Sequence, residues 1–401
     1  MGETSAGKSV TIVNRLYPPG AGVTGEAAQE LARFLIDRHG FDVQIVHVNG
    51  RYPGQAAASQ PAGRVHLIKP VYHGRVKILR LIGNLIEGYR MIRKASQLNT
   101  DHVIVMTDPP LLSMWASVLL GRKRSWSLWT MDVYPQAFIA NQLVSEKNPL
   151  YRRLKTLTYR HAPRHLVALG PGQSAFVVNN YSDDVTATIL PCGIYEENGH
   201  YEDRPSWKHN DGKIYFGYCG NLGEAHSAHF VEALMRKLDP DRHRLILSAY
   251  GRNARRVKQS AAALPAVEVV DFVPRHHLRF IDIHLVTLLG AWTHVCVPSK
   301  AVSAICSGST MLFCGAVQCD TWQMLQSAGW HIDHGAAMED DLDAFLRTAT
   351  PEIVAARKEQ ARRLTAQLLA MRRSAFDEIA RIITNQTQPA DASVSELTKR
   401  E

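Results

Sequence analysis

No window of the 401-residue chain offers 18 uninterrupted apolar residues, and no h-region marks its start. Neither a membrane span nor a secretory signal is expected. The six cysteines (Cys192, Cys219, Cys296, Cys306, Cys314, Cys319) lack the paired C-x-x-C spacing of a zinc or thioredoxin-type site. Reduced thiols in the cytosol are the simplest reading. Short repeats and low-complexity tracts are absent as well. Charged residues are held to 21% against 45% hydrophobic, which excludes disordered and collagen-like classes. Acidic residues are in deficit: 37 against 46 basic give a net charge of +9. Such a surface attracts an anionic partner, whether nucleic acid, a membrane surface or a phosphorylated small molecule. The aromatic-basic interleaving of an RNA-binding surface is missing, so no nucleic-acid partner is expected.

What is present is a large folded core's worth of sequence. A chain of this length exceeds what one hydrophobic core usually supports, so two domains are expected. Residues 2–9, GETSAGKS, satisfy the phosphate-loop pattern G-x-x-x-x-G-K-[ST]. That pattern works only when a strand enters the loop and a helix leaves it. Here only Met1 precedes it and the β-branched SVTIV follows. The segment therefore reads as a flexible leader, with Lys8 a solvated charge before the first strand. From Thr11 onward, short β-branched runs alternate with longer helical patterns, the signature of βαβ units on a parallel sheet. Tyr195 to Gly212 is polar, charged and without period, which marks a linker. A second βαβ series follows it, and QPADASVSELTKRE reads as a frayed tail.

Several stretches carry chemistry. The first strand runs into NRLYPPGAGVTGEAAQELARFL, where Gly20, Gly22 and Gly25 allow close backbone approach before a helix N-terminus that favours an anion. In the second half, YFGYCGNLGEAH places Asn221 and Gly223 at a strand end, and SAYGRNARRVK sets Arg252 and further basic residues behind Gly251. Strand ends of this kind are where open α/β sheets bind ligands. Residues 71–94 form a basic amphipathic pattern, with Ile78, Ile82, Leu85, Tyr89 and Ile92 on one face and Lys77, Arg80, Arg90 and Lys94 largely opposite. This helix either packs its apolar stripe on the sheet or lies on an anionic lipid surface.

In their order and spacing, TIVNRLYPPGAGVTGEAAQELA, TDPPLL, DVYPQAFIA, YCGNLGEAH, DIHLVTLLG and VPSKAVSAICSG resemble GT-B-fold glycosyltransferases of family 4, especially those assembling bacterial surface polysaccharides. The resemblance spans about residues 11–346. It implies an α/β fold of two facing Rossmann-like domains with a cleft between them and a C-terminal helix crossing back. The implied division is an acceptor-side domain over 1–194, a linker over 195–212, a donor-binding domain over 213–365, a returning helix over 366–385 and a tail over 386–401. It further implies a retaining, metal-independent transfer from a nucleoside-diphosphate sugar to a lipid-linked or other glycan acceptor, at the cytoplasmic face, with residues 71–94 available for peripheral membrane contact. No cofactor is implied. Helix N-termini and basic side chains would neutralise the diphosphate leaving group in place of a metal.

Carried over residue by residue, the resemblance puts Gly20, Gly22, Asn221 and Gly223 at the diphosphate and Arg252 facing the donor phosphates. Phe272 and Val273 would meet the nucleobase, and Ser299 and Lys300 would lie near the diphosphate or ribose. Asp132, at a strand end, would orient an acceptor hydroxyl or accept its proton, or else serve as a helix cap or loop tether. The pattern departs from the family where glutamates are common: Thr293 and Ser303 stand there, and Ser303 is counted with the donor site. Either hydroxyls and Lys300 replace carboxylates in the donor pocket, or the chain is a catalytically silent module that binds nucleotide sugar or glycan.

Overall fold

The computed structural model describes residues 8–19, 22–48, 60–72, 74, 76–196 and 203–385. Gly20, most of the GETSAGKS leader, part of the linker and the 386–401 tail lie outside them. Where Lys8 leads on, the chain enters a strand and not a helix, so the order that a phosphate loop requires is reversed.

The β-branched runs predicted as strands form two sheets, both parallel throughout. The first comprises β1 (Ser9–Val13), β2 (Asp42–Val48), β3 (Arg64–Ile68), β4 (His102–Val105), β5 (Trp126–Trp129), β6 (His165–Ala168) and β7 (Thr186–Ile189). Their spatial order is β3-β2-β1-β4-β5-β6-β7. The accompanying helices are α1 (Val23–His39), α2 (Lys77–Gln97), α3 (Leu112–Leu119), α4 (Gln136–Ala140), α5 (Pro149–Thr158) and α6 (Pro171–Val178). The second sheet comprises β8 (Ile214–Asn221), β9 (His243–Tyr250), β10 (Val267–Val269), β11 (Ile283–Thr287), β12 (Thr310–Cys314) and β13 (Gly329–Ile332), in the order β10-β9-β8-β11-β12-β13. With it go α7 (Ala228–Lys237), α8 (Ala254–Ala261), α9 (Ser299–Cys306), α10 (Asp320–Leu325), α11 (Met338–Thr348) and α12 (Pro351–Thr384). Each sheet reverses its strand order once, beside β1 in the first and beside β8 in the second, and such switch points open a crevice at the strands' carboxyl ends.

Continuous apolar strands such as HVIV in β4 and TMLFC in β12 are buried along their full length, as sheets covered by helices on both faces require. The cores are not cleanly divided between the two sheets. Trp292, Val295, Val297, Ile305 and Phe313 from the second half join the apolar cluster built on β1, β2, β4 and β6, while Phe216, Leu247 and Leu285 belong to a separate core on the other face of the second sheet.

Polar contacts pin the halves together. The Asp320 carboxylate of α10 accepts the Gly172 and Gln173 N–H groups at the start of α6, both at 2.7 Å. The Val133 N–H donates to the Val295 carbonyl at 2.8 Å. Helix α12 begins on a Thr350 cap with Pro351 at its first position, the arrangement that satisfies an N-terminal N–H while losing none. It packs on α9 through Thr365, which donates to the Ile305 carbonyl. It then crosses to the first half, where Arg372 pairs with Glu30 at 3.0 Å and Phe376 meets Phe34.

Helix α2 is only half covered. Its later turns bury Met91, Ile92 and Ala95, whereas Ile78, Leu79, Leu81, Ile82 and Ile86 near its start are exposed, Ile78 by 67%. Buried Glu87 ties its middle to Arg15 beyond β1, at 3.2 Å. A crossover helix runs back antiparallel to its strands, so the uncovered first turns project at the carboxyl edge of the sheet.

Candidate active site between the two sheets

The β8 strand ends in Tyr218-Cys219-Gly220-Asn221, and Asn221 lies opposite Tyr250 of β9 in register. Beyond them, Gly251 has φ +100°, and a Cβ there would come within 2.1 Å of the Asn221 side-chain oxygen. Only glycine lets the two loops close this tightly. Lys300, in the first turn of α9, reaches back to that strand end. Its ammonium donates to the Tyr218 hydroxyl at 2.6 Å and to the Asn221 carbonyl at 2.9 Å, and it stands 4.3 Å from the Tyr218 ring centre. Burial brings its pKa down to about 7, because desolvation penalises the charged form and the nearby Cys296 and Cys219 offset it only in part. The nearby ammonium also helps hold His226 neutral, with burial the larger cause of its fall to about 3.

The facing wall is acidic. Asp132 follows β5 and Asp108 follows β4, each at the carboxyl end of its strand. Asp132 is exposed in the crevice, yet enclosure by the surrounding protein, reinforced by Asp108, lifts it to about 6. Asp108 also rises to about 6, chiefly through burial, which the Arg15 guanidinium offsets only in part. Burial raises Tyr134, and the charges of Asp132, Asp108 and Glu224 add to it. Cys296 feels Asp132 from one side and Lys300 from the other. The crevice is therefore polarised, with carboxylates on the first sheet's edge and an ammonium on the second's.

The remaining sequence-derived positions are distributed as follows. Gly22 is the extended N-cap of α1, with its carbonyl accepting the Glu26 N–H at 2.9 Å. Gly25 serves packing, since a Cβ there would meet the Leu16 carbonyl at 2.9 Å. Gly223 adjoins the Asn221 amide. Arg252 is exposed beside Glu224, 3.9 Å away. Phe272 is 51% exposed, while Val273 points into a small core with Trp207, Tyr215 and Ile281. Ser299 is half-buried at the start of α9. The Ser303 hydroxyl donates to the Gly193 carbonyl at 3.1 Å, and the Thr293 hydroxyl to the Gly290 carbonyl at 2.7 Å. Both hydroxyls thus hold backbone.

Sequence reasoning did not single out Asp108, Tyr218, His226 or Cys296. Asp108 had a readable signal, because TDPP ends its strand as MDVYP ends the next. The other three carry none, for their proximity to Lys300 arises only once α9 packs beside β8. A cavity of about 500 Å³ also opens between α1, α12 and residues 195 and 275, lined in part by Glu30, Arg33, Tyr195, Arg275 and Arg372. It contains none of the crevice residues.

Two facing parallel α/β units, switch-point loops across a crevice and a terminal helix that crosses back define the GT-B fold. Known structures share it. The chain is similar to WaaG, a glycosyltransferase involved in lipopolysaccharide biosynthesis, at 17% identity and TM-score 0.66, covering 94% of this chain and 100% of that one. It is similar to the sucrose-phosphate synthase of Thermosynechococcus elongatus at 12% identity and TM-score 0.69, covering 94% and 99%. A UDP-forming α,α-trehalose-phosphate synthase from Burkholderia vietnamiensis aligns at 15% identity and TM-score 0.63, covering 93% and 99%. No protein-family model and no curated protein sequence matches the chain.

Proposed function

We propose that this protein is a family-4-type glycosyltransferase that moves a sugar, with retention and without a metal, from a nucleoside-diphosphate sugar to a lipid-linked or other glycan acceptor. The observation that carries this reading is the polarised crevice, with Lys300 at the end of β8, Asp132 and Asp108 just beyond β5 and β4, and Cys296 within the electrostatic reach of both Asp132 and Lys300. As the bond from the anomeric carbon to the diphosphate oxygen breaks, its electrons stay on the diphosphate. A protonated Lys300 and the N–H groups of the first turn of α9 would stabilise that charge. The acceptor hydroxyl forms the new bond on the same face from which the diphosphate departs, as retention requires, and passes its proton to Asp132, whose pKa near 6 leaves it ionised at pH 7 and still basic enough to serve. A panel of UDP- and GDP-sugars, read by thermal protection and by transfer, tests this. Protection by one donor and its loss in Lys300→Met are expected; no protection, together with unchanged transfer in that variant, would overturn the reading.

One observation favours a second reading, a silent module that binds donor or glycan within an assembly complex. Where the resembling family carries glutamates, the Thr293 and Ser303 hydroxyls are spent on backbone carbonyls. Donor binding with neither hydrolysis nor transfer across an acceptor panel would select it.

The uncovered start of α2 supports peripheral contact with an anionic membrane at the cytoplasmic face. Ile78, Leu79, Ile82 and Ile86 are exposed together with Leu67 of β3, and Arg80 and Arg90 are exposed on the same helix. No described helix is long and apolar enough to cross a membrane. Apolar insertion with flanking basic charge is the pattern of interfacial helices. Co-sedimentation with phosphatidylglycerol vesicles, absent with phosphatidylcholine alone and weakened about tenfold in Ile78→Ser/Ile82→Ser, is the expected result.

A further inference from the structure

We propose that Asp203, His276 and His277 form a binding site for one divalent transition-metal ion of the zinc, cobalt or nickel type. The side chains come from two separate parts of the chain: Asp203 lies in the polar linker, and the histidines sit in the 3₁₀ turn Arg275–Phe280. Neighbouring residues on such a turn point about 120° apart. Here both imidazoles turn to one place instead. His276 Nε2 lies 3.2 Å and His277 Nε2 2.8 Å from the same Asp203 oxygen, Oδ2. The two rings meet edge to face with centroids 4.3 Å apart. All three potential ligand atoms lie within 4.8 Å of one another.

The donor set decides the class of ion. Two imidazole nitrogens and one carboxylate oxygen suit zinc and its neighbours, whereas calcium and magnesium prefer all-oxygen shells. Around a tetrahedral ion with bonds of about 2.0–2.1 Å, ligand atoms stand roughly 3.3–3.5 Å apart. The two contacts to Asp203 need to open by only a few tenths of an ångström, and Asp203, with a side chain 58% exposed, is free to supply the movement. The fourth position would face solvent and hold water, making the ion exchangeable.

None of the three residues belongs to the polarised crevice, so this ion takes no part in the proposed transfer. It would clamp the linker onto the turn carrying Arg275. That guanidinium pairs with Glu26 in the first turn of α1 and lies 5.0 Å from the Tyr195 ring centre. The ion would thus brace a contact between the two halves of the molecule.

The test uses the untagged full-length chain, stripped with EDTA and dialysed. Calorimetric titration with ZnCl₂ is expected to give one ion per chain, and CoCl₂ the strong visible absorption of a tetrahedral complex. Asp203→Asn should weaken zinc binding at least tenfold, His276→Ala/His277→Ala should abolish it, and His39→Ala should leave it unchanged, with circular dichroism confirming that each variant is folded. Absence of stoichiometric binding would overturn the proposal. So would binding that survives the double variant, which would place the ion elsewhere, for instance on the cysteine thiols. Since the readout is metal binding alone, its failure leaves the transferase reading untouched.

Discussion

Lys300 should lower the stability of the protein it serves. Among the described residues its ammonium meets the Tyr218 hydroxyl, the Asn221 carbonyl and an aromatic face, and burial takes its pKa from 10.5 to about 7. Fully expressed, that difference is about 5 kcal/mol at pH 7 and below. Lys300 is half-buried beside an open crevice, so water screens it, and an effect of about 1–2 kcal/mol is expected. Between pH 7 and 10.5 the unfolded chain binds more protons at this site than the folded one, so the folded state gains stability as pH rises. Lys300→Met keeps the stem and removes the charge. It orphans neither acceptor, because the Tyr218 hydroxyl already donates to the Asn221 carbonyl at 2.8 Å. Urea unfolding midpoints should therefore be higher for Lys300→Met than for the wild type at pH 6–7, and the gap should close towards pH 10. A diphosphate placed against the ammonium would restore its proton, so donor binding at pH 7 should take up about half a proton. Calorimetry in buffers of different ionisation enthalpy reads that uptake. A Lys300→Met protein that is less stable at pH 6–7, or a gap independent of pH, would refute the reasoning.

The other expectations concern neighbouring features. Asp132→Asn should reduce transfer about 10²–10³-fold with donor affinity little changed, as read by kcat against the donor KM. Because the folded Asp132 pKa of about 6 lies above the unfolded value of 3.8, stability contributed by its protonated form should fall as pH rises from 4 to 6, and Asp132→Asn should flatten that part of the unfolding curve. Asp320→Ala strips two N–H groups of α6 of a 2%-exposed carboxylate and should cost about 2–3 kcal/mol in urea unfolding. Gly251→Ala meets both a positive φ and the Asn221 oxygen. It should cost at least about 1–3 kcal/mol and weaken donor protection in thermal shift.

Much of the fold was legible because its signals are local. TMLFC and HVIV read as strands and form β12 and β4, buried along their length, since a continuous β-branched or apolar run can be hidden only inside a sheet covered on both sides. The rejection of GETSAGKS rested on order alone, and β1 does begin at Ser9. Residues 71–94 read as a single amphipathic stripe. Their periodicity could not tell that Ile92 is buried while Ile78 is 67% exposed, because only the position of the sheet edge separates the two halves of the helix.

The sequence by itself determined the alternation of strands and helices, the glycine-bearing strand ends and the excess of basic charge, all of which depend on neighbours within a few residues. The tertiary structure alone decided the electrostatics. Lys300 falls to about 7 because α9 folds it against β8, and Asp132 rises to about 6 because the surrounding protein encloses it, with Asp108 at the end of β4 adding to the effect. Ser303 turns to Gly193, 110 residues away. Asp203 meets two histidines more than 70 positions further along the chain. Desolvation and charge coupling depend on distance in space, and chain order does not encode that distance until the core has closed.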